Sequence, residues 1–221
     1  MDSMTFVLFG ATGDLAKRKI YPALFNLYLN QKLPDSFLII GVGIDEMSDV
    51  DFQNHVTDSL YTFSRHLIND KSEKQEFVRA FRYCQLDFTN TEGYKKLVEF
   101  VQQNEKDESI EENRMFYLSV APEFFDVIAL NIKKSGLGST KGWKRLIIEK
   151  PFGYDLKSAE DLNEKLSKAF EENEIFGLTI ISENQWFKTL KPWNLPILFC
   201  NHFGTIGLLP MCKLRLVKRL V

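Results

Sequence analysis

Eight residues near the amino terminus, Gly10-Ala11-Thr12-Gly13-Asp14-Leu15-Ala16-Lys17, carry the plainest chemistry in this chain. They follow an apolar run and open a helical pattern. In that placement a backbone can close on a diphosphate, whose charge the first-turn amides of the helix stabilise. Gly10, Gly13 and Ala16 are the small positions, and Lys17 adds a cation. The spacing departs from the three-glycine dinucleotide fingerprint, because Leu8 stands where its first glycine would be. On the two glycines alone, an ordinary strand-to-helix turn remains an alternative. A second group, Glu149-Lys150-Pro151, ends an apolar run. If that run is a strand of an open α/β sheet, Glu149 and Lys150 sit at the ligand edge and Pro151 stiffens the exit. Taken by itself, Glu-Lys-Pro is equally an inert surface turn.

Both groups need a sheet to position them, and the remaining pattern supplies one. Residues 5–9 (TFVLF), 37–42 (FLIIGV), 81–86 (FRYCQL), 115–120 (MFYLSV) and 144–149 (KRLIIE) are short apolar runs of the kind that form strands buried on both faces. Between them Ile20, Leu24, Leu27 and Tyr28 recur at helical spacing, as do Tyr94, Leu97, Val98 and Val101. The alternation predicts an α/β fold, a doubly wound, Rossmann-like parallel sheet. From Asp155 to Glu172 a capping aspartate precedes the stripe Leu156, Ala159, Leu162, Leu166 and Ala169, which predicts one more helix. Residues 102–114, QQNEKDESIEENR, are expected to be a surface loop.

Composition narrows the function classes. A chain of 221 residues with formal charge −2 gives no reason to expect nucleic acid or an anionic membrane as partner. No leader and no apolar run of about 18 residues is present, so export and membrane insertion are not expected. Cys84, Cys200 and Cys212 neither pair off nor take metal-ligand spacing, which suggests a reducing cytoplasm and no structural metal.

The segments FGATGDLAKRKIYPALFNLY, FYLSVAP and RLIIEKPFG together resemble the coenzyme domain of the glucose-6-phosphate dehydrogenase family, over residues 4–176. The resemblance implies a dinucleotide-binding domain at 1–176 and a non-family tail at 177–221. It also implies oxidation of glucose 6-phosphate at C1 in the oxidative pentose phosphate pathway, with NADP as hydride acceptor. By the same resemblance Gly10 to Lys17 hold the diphosphate, Ala121 and Pro122 lie near the coenzyme, Asp87 lies near its adenosine half, and Lys150 contacts both coenzyme and sugar. Two rival readings stay open: another sugar oxidoreductase with a Glu-Lys-Pro motif, and a non-catalytic nicotinamide-nucleotide-binding module.

Two departures from the family pattern bear on function. Where relatives place an arginine for the 2′-phosphate of NADP, this chain has Ile44 and Asp45. A carboxylate there would repel that phosphate and could accept a ribose hydroxyl, which makes NAD possible; a solvated loop acid is the alternative reading of Asp45. After Phe176 the family's sugar-phosphate grip, its general base and the sheet that forms its dimer interface are all missing, so no catalytic residue is retained and the chain alone is expected to be inactive. From Gly177 to Val221 the only acid is Glu183, and Pro192, Pro196 and Pro210 interrupt any helix. His202 has no carboxylate near it in sequence and is read as incidental. A change of reading frame at Phe176 accounts for this. Joining the third base of each codon to the first two of the next allows Phe176–Asn184 to encode Arg-Ile-Asp-His-Tyr-Leu-Gly-Lys, the expected grip. Trp186-Phe187, Trp193-Asn194 and Met211-Cys212 then force Val, Glu and Val. A divergent natural extension is the alternative.

Overall fold

Strands that are apolar at nearly every position must be covered on both faces, and helices provide the cover. The computed structural model describes residues 2–64, 71–149 and 156–178. Its strands are β1 (Met4–Phe9), β2 (Phe37–Gly43), β3 (Phe81–Gln85), β4 (Arg114–Leu118), β5 (Lys144–Glu149) and β6 (Ile175–Leu178). They form one sheet in the order β3-β2-β1-β4-β5-β6, with every pairing parallel. The five expected strands are all present, with ends within two residues of those foreseen.

Alternation along each strand sends successive side chains into two separate cores. Phe6, Leu8, Ile39, Met115, Tyr117 and Ile147 pack with helices α1 (Tyr21–Leu29), α2 (Asp49–Phe63) and α3 (Lys71–Arg79). Val7, Phe9, Ile40, Phe116, Leu146 and Ile148 pack with α4 (Gly93–Asp107), α5 (Phe125–Ser135) and α6 (Leu156–Ser167) on the other face. The outermost strand on one side, β3, is tied to α2: Gln53 Nε2 donates to Phe81 O at 3.0 Å, and Tyr83 N donates to Asp49 Oδ1 at 2.7 Å. Among the described residues, no helix is long and apolar enough to cross a membrane and no group of His, Cys, Asp and Glu could hold a metal ion.

Two expectations are corrected. Residues 102–114 form a loop only over 108–113: α4 runs through Asp107, and β4 begins at Arg114. Within that segment Glu105 and Arg114 are buried, and Arg114 Nε and Nη2 donate to the two Glu105 oxygens at 2.8 and 2.6 Å. Arg114 Nη1 also donates to Leu137 O at 2.8 Å, so the pair is hydrogen-bonded as well as ionic. The helix expected over 155–172 stops at Ser167. Phe170 then turns into the core against Phe116, and Glu171 and Glu174 cap a short 3-10 turn that leads into β6. The acidic cluster therefore starts a strand where a helix end was expected. That strand, Ile175–Leu178, crosses the point at which the composition changes. Asp155 and residues 179–221 lie outside the described residues.

Breaking the buried pair should be costly because it strands one charge in the core. Glu105→Ala or Arg114→Ala should each lower unfolding free energy by about 3–5 kcal/mol, while replacing both with Met should cost clearly less than the two losses added. Denaturant titration of the three variants measures this.

Candidate functional site

All six strands point the same way, so their carboxyl ends share one edge, and the sequence-predicted residues gather there. Gly10–Lys17 follow β1, Asp45 follows β2, Asp87 follows β3, Ala121 and Pro122 follow β4, and Glu149 ends β5. The chain runs from β1 to its neighbour β2 on one side and pairs with β4 on the other, which makes the end of β1 the switch point where open sheets hold ligands. Lys150 lies outside the described residues.

The turn after β1 is fixed by its own backbone. Gly10 N and Ala11 N both donate to Val42 O, at 2.9 and 3.1 Å, and Gly13 N donates to Gly10 O at 3.0 Å. Gly10 has φ +81°, and a Cβ built on it would lie 2.2 Å from Ser119 O. No side chain fits, so this glycine is required by the packing of β1 against the β4 exit. Gly13 has more room, with Gly10 O at 3.1 Å from a built Cβ. Ala11 and Ala16 are fully buried, so their side chains serve helix-to-sheet packing and only their backbones can meet a ligand. Asp14 is exposed and pairs with Arg18 at 2.7 Å. Residues Ala16–Ile20 form a π-helical turn before α1, a widening often found beside binding sites. Thr12 and Lys17 are half-buried beside these groups.

Beneath the turn lies a neutral aromatic floor that the sequence pattern did not disclose. The buried Tyr21 hydroxyl donates to Ala11 O, and burial holds this phenol well above its ordinary pKa. Tyr21 meets the rings of Phe52 and His55 edge-on. Burial, and then the charge of Lys17, lower the pKa of His55, whose Nε2 is buried without a hydrogen-bond partner. At the other end of the edge, the buried Tyr117 hydroxyl donates to Glu149 Oε1. Burial outweighs that bond and pushes the Glu149 carboxyl up from 4.5 to about 6.

Between β2, β3 and the start of α4 opens a cleft of about 240 Å³, lined by Ile44, Gln85, Leu86, Asp87, Asn90 and Lys96 among others. Ile44 is 67% exposed. Asp87 accepts from Thr89 N and Oγ1 at 2.9 and 2.7 Å, and these bonds lower its pKa. It braces its own loop and lines the cleft at once. Ala121 and Pro122 are exposed and begin the turn that enters α5.

The sheet edge therefore offers a helix start and a cation suited to a diphosphate, a small cleft of mixed polar and apolar lining, and acids at two loop tips. Comparisons with known proteins agree with that arrangement. The family model described as glucose-6-phosphate dehydrogenase, NAD binding domain, matches residues 7–178. Glucose-6-phosphate 1-dehydrogenase of Bacillus subtilis is 44% identical over 172 residues, which is 78% of this chain and 34% of the relative. The Leuconostoc mesenteroides enzyme of the same name is 40% identical over 77% of this chain and 34% of its own length. That of Streptococcus pneumoniae is 34% identical over 89% of this chain and 42% of its own. The chain thus spans about a third of the length of the first two of these curated relatives. A solved glucose-6-phosphate dehydrogenase in complex with glucose 6-phosphate superposes with TM-score 0.73 at 34% identity, over 80% of this chain and 36% of that one.

Two outcomes follow from the geometry. Gly10→Ala forces a left-handed non-glycine residue into the Ser119 carbonyl and should cost roughly 3 kcal/mol or more in a denaturation experiment, strain and overlap combined. Glu149 holds its proton more tightly in the folded chain, so its stabilising effect is complete below pH 4.5 and is lost as pH rises through about 6. Glu149→Gln, neutral throughout, should gain on the unmodified chain by roughly 2 kcal/mol across that window, read from unfolding free energies at a series of pH values.

Proposed function

The chain belongs to the glucose-6-phosphate dehydrogenase family, and on that premise we propose that residues 1–176 are a nicotinamide-dinucleotide-binding domain serving oxidation of glucose 6-phosphate at C1. The observation that carries this reading is the turn at the switch point, where Gly10 admits no side chain and the chain enters a helix directly. First-turn amides have no carbonyl one turn behind them, and with Lys17 they receive the diphosphate. Asp45 accepts a ribose hydroxyl. Asp87, within the cleft beside Ile44, borders the adenosine half, while Ala121 and Pro122 flank the coenzyme from β4. Lys150 bridges coenzyme and sugar in this proposal. Bound NADP or NAD supplies the hydride acceptor. The sugar's C1 hydroxyl must lose a proton as its C1 loses hydride, leaving a lactone. We assign no residue of this chain as that base.

Residues 177–221 are, on this reading, a tail outside the family domain, produced by a change of frame at Phe176. Supporting it are the matched family model, which stops at residue 178, and the single acid among the last 45 residues, Glu183. The Streptococcus pneumoniae relative aligns further, over 89% of the chain, which keeps a divergent natural extension as the competing account. The reaction belongs to the oxidative pentose phosphate pathway in the cytoplasm, and the functional partner is the sugar phosphate, with neither nucleic acid nor membrane involved.

The purified chain should bind NADH or NADPH in a fluorescence titration yet show no reduction of coenzyme with glucose 6-phosphate. Turnover after removal of host enzyme would refute the half-enzyme reading, and absence of dinucleotide binding would refute the coenzyme site. Nucleotide sequence across codons 174–221 decides the tail. An alternative frame that encodes Arg-Ile-Asp-His and stays open supports the shift, and inserting one base should then restore activity. A stop codon or an unrelated product in that frame ends the proposal.

A further inference from the structure

The loop between β2 and α2 is held at both ends by β3. Three consecutive carbonyls at its start are taken by donors from that strand and its exit: Gly43 O by Leu86 N at 2.7 Å, Ile44 O by Gln85 Nε2 at 3.0 Å, and Asp45 O by Tyr83 Oη at 2.8 Å. At its far end Asp49 Oδ1 accepts from Tyr83 N at 2.7 Å. A capping box between Ser48 and Asp51 fixes the helix start beside it, with Asp51 N donating to Ser48 Oγ at 3.1 Å. Tyr83 therefore grips the segment twice, through its main chain and through its hydroxyl. Gly43 makes the second grip possible, because a Cβ there would lie 2.8 Å from Tyr83 Oη. The loop itself presents Ile44 and Asp45 to solvent at the ligand edge.

Resting on the coenzyme reading above, we propose that Tyr83 and Gln85 are positioning residues for coenzyme choice: by fastening the Asp45 and Ile44 carbonyls they hold the Asp45 carboxylate against a 2′-phosphate. A carboxylate on a free loop could swing aside and lose its discrimination, whereas fixed carbonyls on either side of its Cα restrict it to the reach of its own short side chain. Repulsion of the wrong ligand counts only while the repelling group stays in place. Burial, with the Asp45 charge added, raises the Tyr83 phenol to about 12, so it remains a donor at any working pH.

The test is the ratio of dissociation constants for NADPH and NADH, titrated by fluorescence with the full chain. The unmodified chain should prefer NADH. Tyr83→Phe and Gln85→Met should each shrink that preference roughly three- to tenfold, the scale of one hydrogen bond, and in Tyr83→Phe, whose side chain does not line the cleft, NADH affinity should change by no more than about twofold. Asp45→Asn should abolish the preference, and adding Tyr83→Phe to it should leave the ratio where it is. Equal weakening of both coenzymes in Tyr83→Phe and Gln85→Met, or an unchanged ratio, means a purely structural role and overturns the inference while the binding site stands. An unmodified chain that prefers NADPH overturns it as well. A chain that binds neither coenzyme removes the site and the inference together.

Discussion

Everything at the ligand edge depends on the contact between Gly10 and the Ser119 carbonyl. Strands β1 and β4 are neighbours in space but separated by two strands in sequence, and Ser119 N donating to Phe9 O at 2.9 Å extends their pairing to its last position. The next carbonyl then fills the volume a side chain at residue 10 would need. With that volume empty, β1 can leave the sheet through a left-handed residue and a tight turn over 10–13 that leads into a helix, and β4 can end flush beside it. The floor under the turn, Tyr21 against Ala11 O, is consistent with the same closeness.

The two ends of the edge are held by different means. On the β2–β3 side, backbone carbonyls are capped one after another by a strand, a tyrosine and a glutamine. On the β5 side, a carboxyl is held by a phenol in a half-dry setting where its charge is disfavoured. The first device places a charge and keeps it there. The second keeps a group close to the point of exchanging its proton.

Much of this was legible in the sequence because parallel strands buried on both faces are uninterrupted apolar runs, a pattern that solvent-facing strands do not produce. The same reasoning located the glycine turn, since small residues between a strand and a helix have a direct steric meaning. It failed where one residue's role depends on a partner far along the chain or on the opposite side of a turn. Glu105 lies in a run of charges that looks solvated, and only the buried Arg114, nine residues on, makes it a core residue. Glu171 and Glu174 continue the helix pattern by composition, but the demand of Phe170 for a place beside Phe116 ends the helix early. Tyr83 and Gln85 read simply as strand residues, because hydrogen bonds that span about 40 positions leave no local signal.

The links from α2 to β3 have a meaning beyond the loop they border. An outermost strand exposes a row of amides and carbonyls on which another chain can crystallise as an additional strand. In β3 two of those outward groups, the Phe81 carbonyl and the Tyr83 amide, are already occupied by Gln53 and Asp49, one helical turn apart on α2. Two side chains thus imitate the missing neighbour strand, and the Asp49 carboxylate is itself engaged by Tyr83 N and by Arg82 at 3.9 Å. With those groups taken, this rim of the sheet leaves fewer free amides and carbonyls for an added strand.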